Sequence, residues 1–263
     1  MINQQEQNWT NLFDDITSEG IAWHGIWTMY SPNQEITKTY RGVRNFQAND
    51  DKTLITHSNY YTYADGSTEE KIWQIEKQAC NHPDGVAHPA ILSMRALSFK
   101  QGAKAWISKT LEVGKNFGVE LFFRHQDWRT SVGSIYDEAG NLQRIFHIRE
   151  HRGSFSDQVP SSAVKTISGE WIGKKESITP DLQLSSGSEY QELTFPVTRG
   201  KNETLFLPDG VMLNIPKCLR LGEGFELIGG KFFSDSDYRK LTAIYNESGE
   251  FVELVSEVFH RKD

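Results

Sequence analysis

The chain has 263 residues, room for one large domain or two small ones. Apolar residues make up 37% and charged residues 24%, the balance of an ordinary globular protein rather than a disordered or fibrous one. A formal net charge of −7 argues against a nucleic-acid or anionic-membrane partner, no run approaches the roughly 18 apolar residues that span a bilayer, and Cys80 and Cys218 are too few for a disulfide framework.

The opening MINQQEQNWTNLFDD lacks the basic and apolar regions of a secretory signal, so a cytoplasmic location is expected. A helix is expected over 3–18, where Trp9, Leu12, Phe13 and Ile16 fall on one side at spacings of three and four. Strands follow at Trp23–Tyr30, Ile36–Phe46, Thr53–Tyr63, Lys71–Lys77, Ala90–Phe99, Ala105–Val113, Val119–Arg124, Trp128–Tyr136 and Leu142–Arg152. Turns fall at Ala64-Asp65-Gly66-Ser67, Lys100-Gln101-Gly102 and Asp137-Glu138-Ala139-Gly140. A Ser-rich linker, Gly153–Val164, separates a first unit over 1–155 from a second over 156–263. The second unit offers strands at Ile167–Ile178, Tyr190–Val197, Thr204–Leu207, Val211–Ile215, Phe225–Phe233, Tyr238–Tyr245 and Phe251–Arg261. Aromatic residues reach 12% of the chain, and rings suit a pleated, half-buried surface.

An internal repeat organises these strands. IYDEAGNLQRIFHIREHR, from Ile135, aligns without a gap to IYNESGEFVELVSEVFHR, from Ile244, with Tyr136/Tyr245, Gly140/Gly249 and Arg152/Arg261 among the identities. Gly118-Val119-Glu120-Leu121 resembles Gly224-Phe225-Glu226-Leu227, and Gly25-Ile26-Trp27 is matched with Gly169-Glu170-Trp171. Even spacing of many strands predicts a meander that closes on itself, made twice.

A short N-terminal helix, a Gly-x-Trp on the first strand, a meander and a last strand ending in Arg together resemble the calycin superfamily. Within it, both halves are similar to an uncharacterised two-barrel, lipocalin-like family found mainly in cyanobacteria. The resemblance implies an all-β fold of two tandem antiparallel barrels, the second smaller. It also implies that an Arg of each last strand covers the Gly-x-Trp ring, by cation–π contact. Trp27 would then meet Arg152, and Trp171 would meet Arg261, as structural pairs.

The first half holds most of the unusual side chains. Tyr40, Tyr61, Tyr63, Trp73, Trp106 and Trp128 are large rings on expected strands, and Arg124 and Arg149 are cations among apolar neighbours. Of these, Tyr61, Tyr63, Trp73, Trp106, Arg124, Trp128 and Arg149 are the expected ligand-binding set, in which an Arg pairs with a ligand carboxylate. Strand pattern alone leaves the inward face open, because a slip of one residue turns every side chain over. Cys80, His82 and His88 give three soft or imidazole groups where zinc wants four, so no metal site is assigned. Haem ligation would need an inward strand histidine, for which His57 and His147 are the candidates. No Gly-x-Ser-x-Gly or phosphate-cradling glycine loop occurs, so no catalytic residue is assigned. The expected function is binding of an apolar or amphipathic anion in the first barrel: a tetrapyrrole, isoprenoid or fatty acid. Two alternatives stand beside it, a bilin lyase or isomerase and an interaction module with filled barrels. No cofactor and no oligomeric state can be read from the chain.

Overall fold

Two antiparallel sheets account for nearly all regular structure in the computed structural model, which describes residues 3–14, 16–17, 21–100, 102–187 and 191–262. Helix α1 (Gln4–Phe13) comes first. The first sheet follows as β1 (Ala22–Tyr30), β2 (Ile36–Ala48), β3 (Leu54–Thr62), β4 (Thr68–Glu76), the one-turn α2 (Lys77–Cys80), β5 (Asn81–His82), β6 (Gly85–His88), β7 (Ile91–Ser98), β8 (Lys104–Ser108), β9 (Phe117–His125), β10 (Trp128–Tyr136) and β11 (Leu142–Arg152). Its spatial order is β4-β3-β2-β1-β11-β10-β9-β8-β7-β6-β5. The two edge strands, β4 and β5, are joined by α2 alone, so the eleven strands form a nearly closed barrel.

The second sheet contains β12 (Trp171–Ile178), β13 (Leu184–Ser186), β14 (Gln191–Glu192), β15 (Asn202–Leu207), β16 (Val211–Pro216), β17 (Phe225–Phe232), β18 (Asp237–Tyr245) and β19 (Phe251–Arg261). The chain is all-β apart from its short helices, as its rings and alternating runs predict. The second unit, expected as a smaller barrel, is an eight-stranded sheet in which β14 pairs only with β12.

Several boundaries differ from expectation for physical reasons. The segment Cys80 to Pro89, which lies outside the expected strands, contains the β5–β6 hairpin, with Gly85 at φ +117 where the chain leaves the turn. The expected strand through Val113 stops at Ser108 because Thr110 leaves the first sheet to bridge Glu250 of the second. The helix expected over 3–18 runs only from Gln4 to Phe13, capped by the Asn3 side chain on the Gln5 and Glu6 amides. Asp15 and Ser18 of that expected helix, Gln101 of an expected turn and Tyr190 of an expected strand lie outside the described residues.

Pairing in the second sheet repeats that of the first at an offset of 108 or 109 (225 − 117, 245 − 136). Tyr136 faces Phe117 as Tyr245 faces Phe225, and Arg129 faces Glu150 as Tyr238 faces Phe259. The register also corrects one landmark. Trp23 faces Arg152 and Trp171 faces Arg261, so Trp171-x-Gly173 corresponds to Trp23-x-Gly25 and not to Gly25-x-Trp27. Each of these glycines leaves room for the inward side chain opposite. A Cβ on Gly25 would sit 2.5 Å from Glu150 Cγ, and one on Gly173 would sit 2.5 Å from Phe259 Cδ1.

The largest apolar core lies between the two sheets, not inside either. Val119, Leu121, Phe123 and Val132 of the first meet Leu205, Leu213, Leu227 and Leu241 of the second. The seam is stitched twice in the same way. Leu111 and Phe251 exchange backbone bonds with Gly249 and Lys109, both at 2.8 Å, and Leu219 and Leu142 do so with Gly140 and Lys217, at 2.8 and 2.9 Å. Burying one face of each sheet against the other leaves the opposite face of the first to enclose its own interior.

Candidate functional site

With Val119, Leu121, Phe123 and Val132 committed to the seam, the period of two turns their neighbours inward. These include Glu120 and Phe122 on β9 and Arg129 and Ser131 on β10. Trp23 and Trp27 on β1, Arg44 and Phe46 on β2, His57 and Asn59 on β3 and Glu150 on β11 join them. The barrel interior therefore carries charge. Arg129 Nε donates to Glu150 Oε2 at 2.7 Å, Arg44 Nε stands 3.4 Å from Glu150 Oε1, and Ser131 Oγ donates to Glu120 Oε1 at 2.7 Å. Glu150 is fully buried, with Arg129 and Arg44 at 6% and 8% exposure, so these charges persist only because they face one another. The Arg129 guanidinium also lies 4.7 Å from the Trp23 ring centre.

A cavity of about 60 Å³ opens beside this group. Its apolar wall comes from Leu12, Phe13 and Ile16 at the end of the N-terminal segment, with Phe46, Ile75, Trp106 and Phe122 from the strands. Its polar groups are Arg44, Arg129, His57, His88 and Lys104. Arg129 Nη2 is buried without a hydrogen-bond partner among the described residues. A buried guanidinium nitrogen left unpaired is costly, and it marks a place where an acceptor is missing. Helix α1 closes the space. Asn8 bonds the Ala96 carbonyl and the Ser98 amide at 3.0 and 2.9 Å, standing in for a neighbouring strand, and Lys104 Nζ holds the Leu12 carbonyl at 2.6 Å.

Both cavity histidines are held neutral. Burial brings His88 down to about 4, and burial with Arg44 nearby pushes His57 well below the usual imidazole range. His88 Nδ1 accepts from the Ala90 and Ile91 amides at 3.1 and 3.2 Å, which leaves Nε2 as that ring's donor. Burial raises the Glu120 carboxyl.

The structure divides the expected binding residues among four places. Trp106 lines the cavity, and Trp73 stands behind it, 5.0 Å from His57 and 6.0 Å from His88 between ring centres. Arg124 lies inside the barrel, 5.3 Å from the Trp23 ring. Tyr61 and Tyr63 belong to a separate aromatic cluster with Trp27 and Tyr40, over which Lys38 rests 3.9 Å from the Tyr63 ring. Trp128 and Arg149 are on the outer face. Arg149 stacks on Trp128 at 3.9 Å and pairs with Asp209 of the second half at 3.2 Å. His147 shares that outer face and is buried in the seam, and Cys80 packs into the core under α1.

Trp27 and Arg152, expected as a stacked pair, are four positions apart on β1, since Arg152 faces Trp23; Arg44 lies 5.4 Å from the Trp27 ring instead. Trp171 and Arg261 are direct cross-strand neighbours. The residues that sequence reasoning missed, Arg129 and Glu150, are the immediate neighbours of two it chose, Trp128 and Arg149. A one-residue slip in strand parity accounts for both. The repeat held a signal, because a charged pair stands in the first half where Tyr238 and Phe259 stand in the second.

No curated protein matches the chain. Among solved structures, the chain is similar to a protein with unknown function from the DUF3598 family of Nostoc punctiforme, at 18% identity over 100% of both chains and a TM-score of 0.74. A protein of M. tuberculosis aligns over 97% of this chain and 98% of its own, at 8% identity and a TM-score of 0.23. No helix among the described residues is long and apolar enough to cross a membrane. The model described as Domain of unknown function (DUF3598), N-terminal, matches residues 5–155, more than half of the chain, and the chain belongs to this family.

Proposed function

We propose that the first half binds a small amphipathic anion, with Arg129 and Arg44 taking the charged group and the Leu12, Phe13, Phe46 and Phe122 wall taking the apolar part. One observation carries this reading: a buried Arg129 nitrogen without a hydrogen-bond partner among the described residues borders a mostly apolar cavity. The contrast with the second half supports it. There Tyr238 and Phe259 replace Arg129 and Glu150 and join Trp171, Met212 and Ile228 in a filled aromatic core. In calycin-like terms, the second half is a reduced copy kept as a packing partner, and the first is the copy with an interior to use.

The cavity is far smaller than the roughly 300 Å³ at which drug-sized ligand pockets begin. It accepts a head group and a few carbons as it stands. A fatty acid, isoprenoid or tetrapyrrole needs the space that Leu12, Phe13 and Ile16 occupy, so its binding displaces the end of α1. The test is a melting-temperature and tryptophan-fluorescence titration with butyrate, decanoate and a bilin, on the native protein and on Arg129→Met. A response to at least one acid that is lost in Arg129→Met supports the reading. No response to any of the three, or an undiminished response in the variant, rules it out.

A further inference from the structure

Four ionisable groups meet inside the barrel: Arg44 from β2, Glu120 from β9, Arg129 from β10 and Glu150 from β11. With all four ionised their charges cancel. The groups around Glu120 are Arg44, Arg129, Ser131 and Glu150, with Tyr61 of β3 nearby and Trp106 facing it from β8. Lys104, on the Leu12 carbonyl, and Arg124, over the Trp23 ring, add positive charge at the edge of this set. His57 and His88 are neutral.

An anion arriving at Arg129 adds a third negative charge beside the two carboxylates, Glu120 and Glu150, that share this interior. Like charges crowded together in a buried site repel strongly. Protonating one carboxylate relieves that repulsion in one step. Glu150 is the poor choice, because it holds both guanidiniums. Glu120 is the better one. It is only partly buried, and among the described residues its hydrogen-bond partner is the Ser131 hydroxyl, which can turn to accept from a protonated carboxyl.

Resting on the anion-site reading above, we infer that the first half binds a monovalent carboxylate together with one proton, and that Glu120 takes the proton. The step is a plain proton transfer: a proton from solvent joins a Glu120 oxygen as the ligand carboxylate joins the Arg129 guanidinium, and no bond in the ligand breaks. A dianion such as a phosphate monoester brings a second negative charge to the carboxylates, and Glu120 takes up only one proton. Burial already favours the neutral form of Glu120.

Calorimetric titration of butyrate and of butyl phosphate, in buffers of differing ionisation enthalpy, counts the protons taken up per ligand bound. The native protein is expected to take up close to one proton per butyrate in the pH range where free Glu120 is ionised. There its butyrate affinity falls about tenfold per pH unit. Glu120→Gln is expected to bind butyrate with no proton uptake and a flat pH profile. The native protein is expected to bind butyl phosphate at least tenfold more weakly than butyrate. Butyrate binding with no uptake at any pH overturns this inference and leaves the anion site standing. Uptake that persists in Glu120→Gln moves the proton elsewhere, to His57 or His88, and overturns the assignment. Equal affinity for butyl phosphate overturns the monovalent class. Binding of neither ligand overturns both this inference and the anion site. The native count needs no variant, so a poorly folding Glu120→Gln does not leave the question open.

Discussion

Tyr136 and Tyr245 occupy equivalent places in the two sheets, and each donates its hydroxyl into the other half. Tyr136 Oη bonds the Pro216 carbonyl at 2.8 Å, and Tyr245 Oη bonds the Ser108 carbonyl at 2.9 Å. Both rings are fully buried. The carbonyls they satisfy close the ends of β16 and β8, themselves equivalent strands. The seam thus behaves like a symmetric dimer interface within one chain, with each patch meeting its own counterpart.

Removing either hydroxyl leaves a buried carbonyl unpaired, so Tyr136→Phe and Tyr245→Phe should each cost about 1 to 2 kcal/mol in urea denaturation. Pseudo-symmetry predicts that the two costs agree closely. A neutral effect at one site and a full effect at the other would show that the two ties are not equivalent.

The hairpin turns that cross the seam supply a second test. Gly140 has φ +80, and a Cβ there would sit 2.4 Å from the Leu219 backbone oxygen. Gly66 has a similar φ of +82 with open space around it. Gly66→Ala should therefore cost only the backbone penalty of about 1 kcal/mol, while Gly140→Ala adds a clash with main chain that cannot move aside. Thermal melts of the two variants should differ clearly, Gly140→Ala melting lower. Equal melting temperatures would show that the seam is loose enough to yield.

Buried histidine should make the fold acid-sensitive. Burial, with Lys231 adding to it, brings His147 from 6.5 down to about 4. Between those values the unfolded chain holds a proton that the folded chain lacks. Stability is therefore complete above pH 6.5 and falls as pH drops toward about 4, by about 3 kcal/mol for this group. His147→Gln should narrow the difference between urea midpoints at pH about 7 and about 5. His88, also at about 4, leaves part of the slope in place. An unchanged slope would place the acid sensitivity elsewhere.

What the sequence made legible follows from what its patterns encode. The all-β class, the N-terminal helix and the repeat were readable because rings, alternation and the Tyr136-to-Arg152 block each recur in order. The inner face was not. Trp128 and Arg149 are the large, conspicuous residues on their strands, and they serve the seam. The cavity depends on Arg129 and Glu150, one step along in each case. Nothing local says which face of β10 is inward, because both faces are buried, one against the second sheet. The Trp27–Arg152 pairing failed for a related reason. Trp23 and Trp27 are four apart and share a face, so alternation could not choose between them, and only the β1–β11 register does.

The exchange of a charged pair for an aromatic one between the halves can be made experimentally. Glu150→Phe alone leaves Arg129 and Arg44 facing each other with their shared carboxylate gone, a loss of about 3 to 5 kcal/mol. Arg129→Tyr alone leaves Glu150 with only the more distant Arg44, 3.4 Å away. The double variant Arg129→Tyr/Glu150→Phe writes the Tyr238 and Phe259 arrangement into the first half, and Arg44 keeps Glu120 as its counter-charge. Its stability should exceed that of Glu150→Phe, a coupling of at least about 1 kcal/mol in a double-mutant cycle. The same variant should lose every response to butyrate, since it removes the unpaired nitrogen and fills the space beside it. Additive costs would mean that the pair contributes through packing with Trp23 and Phe46 rather than through its charges. A retained butyrate response would mean that Arg44 alone receives the anion.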